Sequence, residues 1–231
     1  LYYDVKLCRV LSLVKLHLHK NAAEELAAIE WTAAVHSGDA TVSSSSSSSS
    51  SLPSVSAFNP VTAVGSVSNA PFSLRLLAAV LPSLQGNHGP SLDALYALLA
   101  WAKAHPLPDV ELQKQRLLRI ALTQAAVLTR QGDLLCALDV LEQQRAADPS
   151  SAVLHTAVGR VCLELGDLAR AEKAFAAATP LLLASPDLAA VDTINKGLLA
   201  FARGECEVSI AQFQKILLDS PDDPTAVAAT N

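Results

Sequence analysis

The sequence predicts an all-α fold, an α-solenoid of helix pairs, for three reasons. A glycine followed by an acidic residue recurs at Gly132, Gly166 and Gly204, and the first two of these glycines are 34 residues apart. Small residues stand at fixed distances on either side of each glycine. The chain is 51% hydrophobic but only 4% aromatic, which suits thin helices that pack through small side chains rather than around a thick core.

Each turn glycine has the same set of partners along the chain. The residues seven positions before it and five after it are small, and the residue nine after it is bulky and apolar. In chain order the sets are Ala125, Ala137 and Leu141, then Gly159, Ala171 and Phe175, then Gly197, Ser209 and Phe213. The small residues let two helices approach closely, the bulky one fills the space between them, and the glycine ends the first helix in a left-handed conformation. This period and these offsets are the signature of tetratricopeptide repeats, whose arrays bind other proteins.

The N-terminal part of the chain divides into two regions. Residues 1–32 are predicted to form a helical pair, because the apolar residues of 2–16 and of 21–30 each share one helix face. Residues 33–69 contain nine consecutive serines at 43–51. A Ser-rich stretch cannot bury enough apolar surface to fold, so a disordered Ser-rich linker is predicted there.

Residues 70–231 are predicted to form the tetratricopeptide-repeat array. Its helix pairs are expected at about 72–104, 118–151, 152–185 and 190–223. The first of these pairs has its turn at Gly86, because Ala79, Ser91 and Leu95 occupy the offsets described above. The array should therefore contain four pairs with one shared packing geometry.

Prolines mark two connections in the array that are expected to be longer than the others. Pro106 and Pro108 lie between the first and second pairs, and Pro180 and Pro186 lie between the third and fourth. The chain contains no methionine, and residues 222–226 look like the opening of another repeat. We therefore expect a fragment of a longer array.

The sequence carries no catalytic or cofactor-binding motif, so we expect a protein that is not an enzyme and needs no cofactor. It lacks the phosphate-binding Gly-rich loop, the GxSxG and HExxH motifs and the dinucleotide fingerprint. His17 and His19 stand near a helix end without a third ligand at a suitable spacing, so no metal site is predicted. A net charge of −5 without a basic stripe argues against nucleic acid as a partner. No apolar run reaches the roughly 18 residues that a transmembrane segment needs.

Cysteine usage points to a reducing compartment. The four cysteines, Cys8, Cys136, Cys162 and Cys206, have neither CxxC nor CxH spacing. Each falls within or beside a predicted helix, where we expect small buried thiols rather than disulfides. Free thiols are typical of the cytosol.

A groove on the concave side of the array is the predicted partner-binding site. In repeats of this type the groove is lined from fixed positions of each first helix, and Thr156 falls at one of them. The principal candidates are Arg119, Arg130, Arg160, Leu163, Leu198 and Phe201. The groove would be basic at one end and apolar at the other. The alternative for Leu198 and Phe201 is packing against a further repeat.

Several segments also resemble a known family. They begin at Pro71-Phe72-Ser73-Leu74-Arg75-Leu76-Leu77 and continue at Leu81-Pro82, Gly86-Asn87, Ser91-Leu92-Asp93, Gly159-Arg160-Val161, Leu165-Gly166-Asp167 and 171–175. These stretches are similar to the family of subunit twelve of the trafficking protein particle (TRAPP) complex. The resemblance implies a non-catalytic scaffold in a vesicle-tethering complex of endoplasmic reticulum, Golgi and endosome traffic. Its partners would be other subunits of that complex, and its location cytoplasmic, peripheral to Golgi and endosomal membranes through the complex alone.

Two other classes of function stay open at this stage. One is a cytosolic tetratricopeptide adaptor or co-chaperone that binds an extended peptide in its groove. Co-chaperones that hold a terminal carboxylate use Lys and Asn in the groove, and the groove positions here lack Asn. The other is a regulatory repeat region of an enzyme that lies outside this fragment.

Overall fold

Residues 2–29, 60–61, 70–185 and 188–219 are described by a computed structural model. Within these ranges the chain forms ten helices and no strand. The chain divides into two units, Leu1–Ile120 and Ala121–Asn231, which we describe separately. The serine run at 43–51 and the repeat opening at 222–226 lie outside the described residues.

The first unit is built from helices that pack against their neighbours in sequence. These are α1 (Tyr2–Lys15), α2 (His19–Ala27), α3 (Phe72–Leu84) and α4 (His88–Ala104), and α5 (Val110–Gln131) spans the division between the units. Helix α1 packs on α2, α3 contacts both of them, and α4 packs on α3. The core of this unit includes Val10, Ala22, Leu26, Ile29, Ala70, Leu74, Ala78 and Leu81.

The second unit continues in the same way. Its helices after α5 are α6 (Leu134–Ala147), α7 (Ala152–Glu164), α8 (Leu168–Leu183), α9 (Ala189–Ala202) and α10 (Cys206–Asp219). Each of these helices packs on the next, and α7 also touches α9. Helices that pack consecutively on their sequence neighbours are the arrangement of an α-solenoid, so the predicted all-α, solenoid-like fold class is confirmed.

The predicted left-handed turns are present at all four glycines. Gly86, Gly132, Gly166 and Gly204 have φ angles of 88°, 90°, 78° and 79°. In each turn the N–H of the glycine and the N–H of the next residue bond back to carbonyls of the preceding helix; Gly166, for example, donates to Leu163 at 3.0 Å. These bonds satisfy carbonyls that a helix end would otherwise leave without a partner.

The predicted close contacts are also present. A Cβ atom added to Gly159 would lie 2.4 Å from the ring of Phe175, and one added to Gly197 would lie 2.9 Å from the ring of Phe213. Real Cβ atoms do not come that close to another atom, so these two helix pairs can pack as they do only with glycine at these positions.

A fifth turn with the same geometry joins α1 to α2, where His17 stands in the place of the glycine. His17 has a φ of 57°, and the N–H of Leu18 donates to the carbonyl of Leu13 at 2.9 Å. The three packing offsets around His17 hold Val10, Ala22 and Leu26, all fully buried. The sequence pattern did not identify this turn, because its offsets are counted from a glycine and this turn has a histidine instead.

Of the two connections predicted to be long, the first is short, and Pro186 of the second lies outside the described residues. Only five residues separate α4 from α5. Helix α5 already begins at Val110, so the additional residues of this region belong to the helix and not to the connection. Pro180 lies inside α8 instead of ending it, and the helix runs on to Leu183. A proline near a helix end removes one backbone donor without preventing a final turn.

Candidate partner-binding surface

Helices α7 and α9 meet through a buried polar contact. The side-chain amide of Asn195 donates to the hydroxyl of Thr156 at 3.2 Å, and both residues are buried. Thr156, which was predicted to line the groove, is therefore part of the contact between two helices and not of an open surface. The pattern could not show this, because a threonine suits both environments.

Four of the six predicted groove residues lie on these two touching helices. Arg160 and Leu163 are on α7, and Leu198 and Phe201 are on α9, in the C-terminal half of each helix. Arg160 is exposed, Leu163 and Leu198 are half-buried, and the Phe201 side chain is 67% exposed. The second unit thus combines a cation with apolar side chains on two adjacent helices.

The other two predicted residues lie on α5. Arg130 is exposed near the C-terminal end of this helix, in the second unit, and Arg119 is exposed further back, in the first unit. Arg119 borders a cavity of about 200 Å³ together with Phe72 and Arg116. Arg119 therefore belongs to the lining of this cavity in the first unit.

The α9–α10 pair exposes more apolar surface than the groove positions predicted. Besides Phe201, the exposed large apolar residues of this pair are Val208, Ile210 and Leu218, and Leu218 is 82% exposed. These three lie on the second helix of a repeat, whereas groove positions were taken only from first helices. The sequence could have identified them as apolar residues that fall outside the packing offsets. We call Phe201, Val208, Ile210 and Leu218 together the α9–α10 face; Val208 and Ile210 lie on different sides of α10, because residues two apart on a helix do not share a side.

Several charged residues of the second unit form ion pairs with one another. Glu142 of α6 pairs with Arg170 of α8 at 3.1 Å, and Arg203 pairs with Glu172 at 2.6 Å. By contrast, no carboxylate of the described residues pairs with Arg160, although partial burial of its guanidinium lowers its pKa. Arg160 remains charged, because arginine does not lose its proton in proteins. Its charge is therefore available to an acidic partner.

The acidic residue that follows Gly166 caps the next helix. The carboxylate of Asp167 accepts the backbone N–H of Arg170 at 2.9 Å, which caps the start of α8. An N-cap of this kind typically contributes about 1 kcal/mol. Asp167 thus has the structural role that its place in the turn predicts.

The cysteines differ from their predicted environment. Cys162 is buried, and burial raises the pKa of its thiol, but Cys8, Cys136 and Cys206 are exposed. The expectation of four buried thiols was therefore wrong for three of them, because each lies on the outer face of its helix. Among the described residues, no group of three or more His, Cys, Asp or Glu side chains could hold a metal ion.

Comparison of the chain with models of known protein families, with curated proteins and with solved structures gave no match. In the described part of the chain, no helix combines the length and the apolar character needed to cross a membrane.

Proposed function

We propose that this chain is a helical-repeat scaffold without a catalytic role, which binds companion subunits of a vesicle-tethering complex in endoplasmic reticulum, Golgi and endosome traffic. The observation that carries the proposal is the exposed apolar α9–α10 face. Repeat arrays stack apolar faces, and an exposed apolar face on a helix pair is surface that a partner protein can cover. The resemblance of residues 71–77 to TRAPP subunit twelve is the support for the kind of complex.

Binding would combine an apolar anchor with charge steering. Phe201, with half-buried Leu198 beside it, offers a large side chain that a partner pocket can enclose, and truncation of such an anchor typically costs about 2 kcal/mol or more. Arg130 and Arg160 would attract an acidic partner surface and would act mainly on the association rate. The protein would then work in the cytoplasm, and would reach Golgi and endosomal membranes only through the assembled complex.

The first prediction tests this anchor in the full-length protein. A tagged protein with Leu198→Ala and Phe201→Ala should lose most of its co-purifying tether subunits, detected with antibodies against those subunits. The matched control is Leu135→Ala with Leu183→Ala, which removes two leucines that are 73% and 58% exposed on other helices of the same unit. This control should retain the subunits.

Two results would contradict this prediction, and a folding control accompanies them. Equal recovery with the anchor variant and the control variant would move the interface away from Leu198 and Phe201. Recovery of no tether subunit with the unsubstituted protein would refute the tethering role. Circular dichroism spectra of both variants establish whether the helices are intact, so that a lost interaction is not confused with a lost fold.

A further inference from the structure

A cavity of about 200 Å³ opens in the first unit where the α4–α5 connection meets the start of α3 and the first half of α5. Its walls are formed by Phe72, Leu107, Leu112, Gln115, Arg116 and Arg119. This volume is below the roughly 300–1,000 Å³ that is usual for small-molecule and cofactor sites. A cavity of this size suits one side chain of a partner polypeptide.

Arg116 is fixed in place by aromatic rings. Its guanidinium carbon lies 5.1 Å from the ring centre of Phe72 and 5.4 Å from that of Trp101, and one of its nitrogens donates to the carbonyl of His105 at 3.3 Å. Trp101 is itself stacked on the ring of His105, at 5.2 Å between ring centres. Stacking on aromatic faces pre-orients the planar donor fork of an arginine at low entropic cost.

The charge of Arg116 has no counter-ion in the described part of the chain. None of the ion pairs there includes Arg116, and its only backbone contact is to a neutral carbonyl. Partial burial lowers the pKa of the Arg116 guanidinium. Arg75 lies over the same Trp101 ring at 4.3 Å, and its pKa is lowered first by its own burial and then by the charge of Arg116. Partly desolvated positive charge that makes no ion pair is costly, and a bound anion would offset that cost.

We propose that this cavity binds a side-chain carboxylate, from Glu or Asp, of an acidic partner peptide. Arg116 supplies the oriented fork, and Arg119 adds a second positive charge to the lining of the same cavity. Phe72, Leu107 and Leu112 provide apolar walls for the hydrocarbon part of such a ligand, a match that a free phosphate lacks. The chain carries a net charge of −5, so an acidic peptide is attracted by this local patch and not by the whole protein.

This site lies outside the α9–α10 face, and its recognition chemistry goes beyond the proposed tethering role. Peptide binding in the first unit requires no tether subunit. Failure of the experiment below therefore leaves the tethering proposal standing, and the reverse also holds.

The fluorescence of Trp101 can report binding, because the guanidinium of Arg116 lies over its ring. The chain has two tryptophans, so Trp31→Phe leaves Trp101 as the only one. In this background, the C-terminally amidated peptide acetyl-Ser-Leu-Glu-Leu-Glu should change the Trp101 emission to saturation, with a dissociation constant below about 1 mM. The amidated peptide acetyl-Ser-Leu-Gln-Leu-Gln should bind about tenfold more weakly or not at all, because it offers no carboxylate to the guanidinium.

The matched variants lie two residues apart on α5. Arg116→Gln should weaken the acidic peptide about tenfold or more, whereas Lys114→Gln, at an exposed position of the same helix, should change the affinity less than about twofold. Absence of saturable binding, or equal affinity of the parent and Arg116→Gln, would overturn the proposal. Inorganic phosphate that reproduces the emission change with the affinity of the peptide would overturn the peptide assignment.

A second measurement needs no substitution and holds even if Arg116→Gln does not fold. Phenylglyoxal modifies accessible arginines, and mass spectrometry quantifies each site. The acidic peptide at saturation should protect Arg116 but not Arg9, which is 65% exposed on α1. Unchanged labelling of Arg116 would refute the site.

Discussion

The α1–α2 pair and the α7–α8 pair have the same turn geometry but reach it with different residues. In α7–α8 the turn residue is Gly166 and the contact joins Gly159, which has no side chain, to the large ring of Phe175. In α1–α2 the turn residue is His17, and the contact positions hold side chains of intermediate size. The framework is therefore positional: the distance between the helices sets the total volume at each contact, and residues can divide that volume in more than one way.

The comparison also separates what is required from what is only favourable. Gly159 is required as long as Phe175 stands opposite it, since any Cβ atom there overlaps the Phe175 ring. A glycine in the turn is only favourable, since His17 adopts the left-handed conformation with a φ of 57°. For residues other than glycine this conformation costs about 1–2 kcal/mol, and histidine is among the residues that adopt it more often than most.

The second prediction addresses the tightest contact and carries the largest expected effect. Gly159→Leu should destabilise the second unit by about 3 kcal/mol or more, because even the first side-chain atom would lie 2.4 Å from Phe175. Hydrogen exchange by mass spectrometry, read in peptides from α7 and α8, measures this loss locally. Gly89→Leu is the matched control, since a Cβ atom at Gly89 has no neighbour within 4 Å, and its effect should be small.

A compensating pair of substitutions sharpens the same prediction. Gly159→Ala alone should be destabilising, although alanine favours the helix by about 1 kcal/mol over glycine. Adding Phe175→Leu creates the Ala–Leu combination that Ala125 and Leu141 have at the corresponding positions, and should recover part of the loss. If the two changes were simply additive, the volumes at the two positions would not be coupled, and the interpretation of this contact would be wrong.

The sequence was sufficient for the repeat framework because that framework rests on extremes of size and conformation. Glycine at a positive φ and a glycine opposite a phenylalanine leave few alternatives, so Gly166 and Gly159 were assigned correctly. The pair around His17 was missed, because histidine does not identify a left-handed residue. The surface was harder still. Whether Thr156 faces a groove or a neighbouring helix depends on rotation of one helix against the next, and no pattern within one helix encodes that rotation.

The cavity around Arg116 illustrates the same limit. Its walls come from three separate segments, and its central contact stacks Arg116 on Phe72, which precedes it by more than forty residues. An arginine on an amphipathic helix normally faces solvent, so the sequence gives no reason to single out this one. Only the packing of α3 against α4 brings the aromatic rings under it.

The third prediction concerns the two serines that occupy the small-residue offset five positions after a turn glycine. The hydroxyl of Ser91 donates to the carbonyl of Ala79 at 2.7 Å, and that of Ser209 donates to the carbonyl of Gly197 at 3.0 Å. Both bonds are buried and join the same two offsets in different units. Ser91→Ala and Ser209→Ala should each cost about 1 kcal/mol, because the space stays filled and only the hydrogen bond is lost.

The matched control tests how burial changes the contribution of a serine hydrogen bond. The hydroxyl of Ser12 donates to the carbonyl of Cys8 at 2.8 Å in an exposed setting, so Ser12→Ala should change local stability by only a few tenths of a kcal/mol. Equal effects at Ser12 and Ser91 in hydrogen exchange would mean that burial does not strengthen this bond.

The last and smallest prediction is a gain in stability at the turn between α1 and α2. His17→Gly removes the strain of a left-handed residue with a side chain, but it also increases the freedom of the unfolded chain, so the net gain should be about 0.5–1 kcal/mol. Amides of α1 and α2 should then exchange about two- to fivefold more slowly. His17→Ala is the control, because it deletes the imidazole and keeps the Cβ atom, and it should bring no gain. If Ala stabilised the turn as much as Gly, the imidazole and not the backbone would be the source of the strain, and His17 would not be equivalent to the turn glycines.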